Sequence, residues 1–213
     1  MDFIIPAVVQ TELTALSASE AAVSKIKDFC ILLDKWNQKV NLTGSKSVDE
    51  IALNHVHDSL LAAKCLPQSE AFIDVGSGAG FPGLILAMIW PDREAHLIEP
   101  KEKSAIFLKE AIKTLSLTNV TVYIRAIEEL QGEEIVPIYQ EYFSISRAFS
   151  PAKKFFGYCH YLVHEDAPLF LMSGEESELL DPQVLEKNKL TVFKSTNYDL
   201  SKPKKTLVEI RQA

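Results

Sequence analysis

Apolar positions in the first seventy residues recur at helical spacing. Ile26, Cys30, Leu33, Trp36 and Val40 lie three or four residues apart, which sets one apolar stripe along one helix face. Ahead of the stripe, Ser17-x-x-Glu20 has the capping-box pattern, in which each side chain satisfies the other residue's free backbone N–H. Asn41-Leu42-Thr43-Gly44 breaks that helix. A second box, Ser47-x-x-Glu50, opens another that carries Ile51, Val56 and Leu60 and should end near Pro67. From residue 71 the pattern changes to short apolar runs alternating with helical segments. The runs at 71–75, 95–99, 120–124, 142–146 and 168–172 read as strands, with helices over 82–89 and 102–115 between them. Runs at 190–195 and 206–210, joined by a turn around Ser201-Lys202-Pro203, close the chain as an antiparallel pair. The alternation predicts βαβ units and an open, doubly wound, mostly parallel seven-stranded α/β sheet. The expected organisation is a helical extension over 1–69 followed by an α/β domain over 70–213, as one compact unit.

Composition narrows the classes of function. The chain has 213 residues, 47% of them hydrophobic and 24% charged, which is enough to bury a globular core. Acidic residues number 29 against 22 Lys and Arg, a net charge of −7 that excludes a wholly basic nucleic-acid binder and leaves room only for a local basic patch. Four of those 22 are Arg: Arg93, Arg125, Arg147 and Arg211. Cys30, Cys65 and Cys159 are odd in number and lack C-x-x-C spacing, so they read as thiols of a reducing compartment. The apolar run Phe3–Val9 is too short to span a bilayer and no later stretch approaches 18 apolar residues, so a cytoplasmic location is expected, with no membrane partner.

The densest chemical signal is Phe72-Ile73-Asp74-Val75-Gly76-Ser77-Gly78-Ala79-Gly80-Phe81-Pro82-Gly83. Four of the chain's eight glycines fall in its last eight positions. Such a cluster suits a strand that turns sharply into a helix while its backbone approaches a ligand at the carboxyl edge of a sheet. Pro82 suits the first turn of that helix. By letter, Gly78-x-Gly80-x-x-Gly83 also matches the dinucleotide fingerprint. Charge distinguishes the two. Asp74 at the strand end would repel a pyrophosphate, whereas the sulfonium and ammonium of S-adenosylmethionine suit a neighbouring carboxylate. Glu99, ending the next strand, can accept hydrogen bonds from the ribose hydroxyls of either cofactor.

A family resemblance rests on several segments in order: Trp36-Asn37…Asn41-Leu42-Thr43, then His55…Asp58-Ser59, then Asp74 to Gly83, then Ser146-Arg147-Ala148-Phe149. Together they resemble the ribosomal RNA small subunit methyltransferase G family, also called glucose-inhibited division protein B. The resemblance implies a class I S-adenosylmethionine-dependent methyltransferase (Rossmann-like) fold with an N-terminal helical extension. It implies methyl transfer to N7 of one guanine of 16S ribosomal RNA in the small ribosomal subunit. Carried over by position, it implies cofactor contacts at Gly76, Phe81, Ile127, Glu128 and Arg147, beside those expected at Asp74, Gly78 and Glu99. Substrate contacts are expected at His55 and Lys103, and Arg147, just after a predicted strand at the edge where ligands bind, is expected at the junction of cofactor and substrate as the catalytic residue. The enzyme is expected to act as a monomer without a metal. Where the family has basic residues, this chain has Asn54, Ser104 (after Lys103) and Ser173 (before Gly174), which thins the contacts available to RNA phosphate. That thinning keeps open a cofactor-binding module without RNA methylation and, further off, an NAD-dependent dehydrogenase.

Other patterns carry less. His160-x-x-x-His164 has metal-compatible spacing but no third ligand. Lys101, Lys103, Lys109 and Lys113 read as a solvated helix face, His55 in isolation as a structural histidine, and Lys202, Lys204 and Lys205 as a polar turn. The run after the fourth strand is not the Asn/Asp-Pro-Pro-aromatic type that resembles exocyclic-amine methyltransferases, and it holds no Cys to attack a pyrimidine ring. Guanine N7 already presents a lone pair at neutral pH, so catalysis there needs alignment more than a general base.

Overall fold

The computed structural model describes residues 3–67, 71–130, 142–147, 152–164, 166–173, 181–199 and 205–213. Seven strands form one sheet in the order β3-β2-β1-β4-β5-β7-β6. They are β1 (Ala71–Val75), β2 (Glu94–Ile98), β3 (Val120–Tyr123), β4 (Phe143–Arg147), β5 (Leu169–Ser173), β6 (Leu190–Asp199) and β7 (Lys205–Gln212). The first five are parallel to one another, and β7 runs antiparallel to both β5 and β6. Each expected strand exists, displaced by a residue or so at its ends, except that β6 extends four residues further and β7 two. The expected turn at 201–203 lies outside the described residues, as do Lys202 and Lys204.

The sheet has a packed layer on each face, which explains why its strands read as continuous apolar runs rather than as alternation. Period-two geometry sends Phe72 and Phe143 to one core and Ile73, Val75 and Leu171 to the other. The first core takes the helical extension: α1 (Ala7–Ala15), α2 (Glu20–Val40), α3 (Val48–Ile51) and α4 (His57–Ala63), together with α5 (Gly83–Ile89) and α6 (Glu102–Thr114). Phe29 of α2, fully buried, meets Phe81 edge-on at 5.5 Å between ring centroids and Phe107 of α6 at 6.0 Å. Truncating so buried an aromatic typically costs about 3–5 kcal/mol. The extension is thus fastened to the glycine-rich segment by core packing. The second core takes α7 (Ala152–Cys159) and α8 (Pro182–Lys187), neither of which the hydrophobic pattern predicts. Asp181 caps α8 by accepting from Gln183 N at 3.0 Å, with Pro182 in the first turn.

The helix boundaries correct four expectations. Ser17 does not cap α2: its φ of 55° ends α1, where Ser17 N donates to Thr14 O and Ala18 N to Leu13 O. An N-cap needs extended backbone, and Ser19 has it (φ −67°, ψ 157°) and accepts from Ala22 N at 3.2 Å. Ser47 caps α3 as expected, accepting from Glu50 N at 3.2 Å, but the Glu50 carboxylate accepts from Lys46 N rather than from Ser47 N. The helix expected to run unbroken to Pro67 is interrupted at Ala52–Val56 by a π-helical turn and ends at Ala63. Pro82, joined to Phe81 by a cis peptide bond, stands just before α5 instead of inside it.

Candidate active site

The parallel strands deliver their carboxyl ends to one edge, and the loop from β1 to α5 crosses that edge. Gly76, Gly78 and Gly80 have φ of 77°, 56° and 92°, so the loop is a left-handed path that side chains disfavour. Its start is pinned to β2, because Gly76 N and Ser77 N both donate to Ile98 O, at 2.8 and 3.2 Å. Asp74 and Glu99 hold the rest. Asp74 is fully buried, and its Oδ2 accepts from Gly83 N at 2.9 Å, while Gly83 lies so close that any Cβ there would collide with the carboxylate. Glu99, also buried, accepts from Gly78 N through Oε2 and from Lys101 N through Oε1, each at 2.7 Å.

Asp74 therefore sits beneath the loop and does not line the cleft. Its Oδ1 has no hydrogen-bond partner among the described residues. Burial pushes its carboxyl up to about 7, against the nearby Ser77 hydroxyl, the Gly83 N–H hydrogen bond and the Arg147 charge. A buried carboxylate oxygen left without a donor suits a cationic group entering above the loop.

Facing the loop across a cleft of about 190 Å³ stand Leu42, Thr43 and Gly44 from the extension; His55 and Arg147 complete the wall with Gly76–Ala79 and Phe81. The residues 41–45 are shaped by Asn37, whose Nδ2 donates to Thr43 Oγ1 (2.7 Å) and Ser45 O (2.8 Å) while its Oδ1 accepts from Thr43 N (2.7 Å). Ser45 Oγ in turn meets His55 Nε2 at 3.1 Å. His55 lies in the π turn, a kind of helical defect found frequently at functional sites. Its ring stacks on Phe81 with centroids 4.9 Å apart and 29° between planes. Burial, reinforced by Arg147, lowers its pKa to about 4, so at neutral pH it is an uncharged imidazole. Arg147, the last residue of β4, places its guanidinium carbon 5.1 Å from the Phe81 ring centroid and Nη1 3.3 Å from Asp58 Oδ2.

The structure thus brings His55, Gly76, Gly78, Phe81 and Arg147 together around one cleft. It does not bring Asp74, Glu99, Ile127, Glu128 or Lys103 into that lining. Ile127 is buried at the start of a 3-10 turn after β3, its carbonyl accepting from the Tyr161 hydroxyl, and Glu128 beside it is exposed. Lys103 is exposed in the first turn of α6, as are Lys101, Lys109 and Lys113 nearby. Of the positions lacking a basic residue, Asn54 is exposed, Ser173 is half-buried and Ser104 is buried against the core; Gly174, Ala148 and Phe149 lie outside the described residues. Sequence reasoning missed Asp58, Ser45 and the 42–44 wall as parts of a site, and it misread Lys205. Lys205 opens β7 and donates to Asp58 Oδ1 at 3.0 Å, because an antiparallel β7 starts at the edge where β4 ends. His160 Nδ1 lies 3.0 Å from Gly157 O, and among the described residues no three His, Cys, Asp or Glu side chains are grouped to hold a metal.

A sheet of this order with its one reversed strand, and a glycine loop at the β1 edge held by two carboxylates, define the class I S-adenosylmethionine-dependent methyltransferase fold. Solved structures agree on the fold: a SAM-dependent methyltransferase from Aquifex aeolicus superposes with a TM-score of 0.55 at 20% identity, covering 72% of this chain and 88% of that one. The precorrin-6y C5,15-methyltransferase of Geobacter metallireducens superposes at 0.52 and 11% identity, covering 74% and 87%. The family described as rRNA small subunit methyltransferase G (GidB) matches residues 22–207. The ribosomal RNA small subunit methyltransferase G of Glaesserella parasuis serovar 5 is 36% identical over 151 residues, 71% of each chain. Its namesake from Francisella tularensis subsp. novicida is 34% identical over 163 residues, 76% of this chain and 75% of the other. The chain belongs to the rRNA small subunit methyltransferase G family.

Proposed function

We propose that this protein transfers a methyl group from S-adenosylmethionine to N7 of one guanine of 16S ribosomal RNA in the small ribosomal subunit. The observation that carries the reading is the cleft at the sheet's carboxyl edge, with the glycine loop on one side and His55 and Arg147 on the other. When bound, S-adenosylmethionine supplies an electrophilic methyl group. Gly76 and Gly78 offer backbone to its amino-acid part, and the Asp74 carboxylate beneath the loop offers a negative charge that favours its ammonium group. Glu99 retains lone pairs for ribose hydroxyls after its two backbone contacts. Ile127 and Glu128 flank the adenine from the turn after β3. His55 and Phe81 provide aromatic faces for a base, Arg147 orients it toward the methyl donor, and Lys103 contacts RNA phosphate. Guanine N7 needs no proton removed before attack, which agrees with a cleft whose histidine is neutral and whose buried Asp74 lies below the loop.

Further elements of the reading concern the whole chain. The extension over 1–69 and the domain over 70–213 act as one unit, since one hydrophobic core runs through both. The large exposed apolar side chains Ile4, Val8, Leu53, Ile106, Ile124 and Phe193 are scattered over separate elements, which favours a monomer. No helix among the described residues is long and apolar enough to cross a membrane, and the substrate points to action in the cytoplasm. Family membership over most of the chain does not favour a cofactor-binding module or a dehydrogenase. The test is incubation with radiolabelled cofactor and small subunits lacking the modification. Label should enter 16S RNA and map to a guanine that becomes sensitive to reduction and aniline cleavage. Cofactor binding without transfer would favour the binding module, and binding of NAD instead would favour the dehydrogenase.

A further inference from the structure

Asp58 is a buried carboxylate, 6% exposed, in the first turn of α4, three residues beyond His55. A carboxylate so enclosed is unfavourable unless countercharges meet it. Two do, from strands that are not neighbours. Arg147 Nη1 at the end of β4 lies 3.3 Å from Oδ2, and Lys205 Nζ at the start of β7 lies 3.0 Å from Oδ1. The strand between them, β5, ends at Ser173, so Asp58 bridges the sheet's carboxyl edge from the extension side. The Phe81 face, 5.1 Å from the guanidinium carbon, restrains how far the Arg147 head can tilt but not how it turns within its own plane. A charged acceptor at one corner removes that second freedom. The contact is through Nη1 alone, so the other donors of the fork have no partner among the described residues.

We infer that Asp58 is a positioning residue for the transfer reaction: its carboxylate fixes the rotation of the Arg147 guanidinium over Phe81, so that the remaining donors are presented to the reacting pair. Asp58 itself does not line the cleft, so it acts through Arg147. The inference rests on the reading of Arg147 as the residue that orients the substrate.

Single-turnover methyl transfer at saturating cofactor, measured on a set of full-length variants, tests it. Asp58→Asn removes the charge and should slow transfer about tenfold, within the range expected for a lost charge-assisted hydrogen bond. Asp58→Glu restores the charge and should recover the rate to within about threefold of wild type, because the acceptor is regained at a displaced position. In an Arg147→Lys background, Asp58→Asn should add less than about twofold, since residues acting through one contact are non-additive. Lys205→Met, which leaves the Arg147 contact intact, should stay within about threefold of wild type. With only four arginines in the chain, the Arg147 Nε–H signal is resolvable by ¹⁵N NMR. It should shift and broaden in Asp58→Asn and not in Lys205→Met, a change that loss of general stability would not produce. If Asp58→Asn fails to fold in a melting scan, Asp58→Glu and Asp58→Ser carry the same comparison. Multiplicative losses in the double variant, an unmoved Arg147 signal, or Lys205→Met matching Asp58→Asn would overturn the inference by making Asp58 a tie between α4 and β7. Unaltered transfer in Arg147→Lys would instead sink the underlying reading of the site, and the inference with it.

Discussion

The two walls of the cleft are built in different ways. The glycine-loop wall is local: β1, its loop and the start of α5 lie within thirteen residues (71–83), and backbone N–H groups bonded to Asp74 and Glu99 hold its shape. The opposite wall is assembled from distant parts of the chain. Asn37 shapes the 41–45 segment, Ser45 meets His55, His55 stacks on Phe81, and Asp58 reaches Arg147 across 89 positions. The first wall is a fixed backbone cradle suited to one cofactor. The second is a chain of side-chain contacts in which a single substitution alters what is presented to the substrate. Disrupting the first should therefore abolish cofactor binding, and disrupting the second should impair transfer or RNA affinity while cofactor binding persists.

The largest contrast is expected from Gly76→Val. A β-branched residue is strained at a φ of 77°, and calorimetry should find cofactor binding weakened beyond about a hundredfold. Retained binding would mean that the loop is not the cradle. Arg147→Lys keeps the charge but loses the planar fork, and single-turnover transfer should drop about ten- to a hundredfold. A rate within about twofold of wild type would return Arg147 to the role of a surface ion pair, whose worth is about 0–1 kcal/mol.

The two walls should also titrate in opposite senses. Asp74 is held up to about 7, so between the unfolded carboxyl value and 7 the folded state binds the extra proton, and Asp74's contribution to stability declines as pH rises through that window. His55 is held down to about 4, so its contribution is present above the ordinary histidine value and is lost as pH falls toward 4. Because an ammonium group prefers the ionised Asp74, cofactor affinity should rise about tenfold from pH 6 to pH 8. Asp74→Asn should flatten that profile, and a flat profile in the wild type would remove Asp74 from the cofactor site. Asn37→Ala, deleting three hydrogen bonds that shape the 41–45 wall, should raise KM for small subunits a few-fold with cofactor affinity unchanged. The smallest effect belongs to Lys103→Ala: RNA affinity should weaken modestly, with the slope of log affinity against log salt reduced by about one. An unchanged slope would mean that Lys103 contacts no phosphate.

The contrast also explains which parts could be read from the linear chain. The central strands, buried on both faces, are largely apolar and were legible, β1 to its end residues. The edge strands β3 and β6 are largely exposed and were legible from their β-branched and aromatic residues. The glycine loop was legible because its chemistry is local and few residue types tolerate its backbone. Helix starts were less so. Ser17 and Ser19 are both capable caps by residue type, and only the folded backbone, left-handed at Ser17 and extended at Ser19, decided that the first ends α1 while the second begins α2. The helices α7 and α8 are short, and their helicity comes from burial against the second core.

What the sequence determined by itself was the order of elements, the glycine cradle and the family signature, all of which depend on residues near one another in the chain. Only the tertiary structure decided that Asp74 lies under the loop with one oxygen unpaired, that a π turn brings His55 against Phe81, and that Asp58 joins Arg147 to Lys205. Those contacts exist because β4 and β7 meet the helical extension at one sheet edge. The energies that select them, burial of a charge and stacking of a ring, arise only once residues far apart in sequence exclude water together.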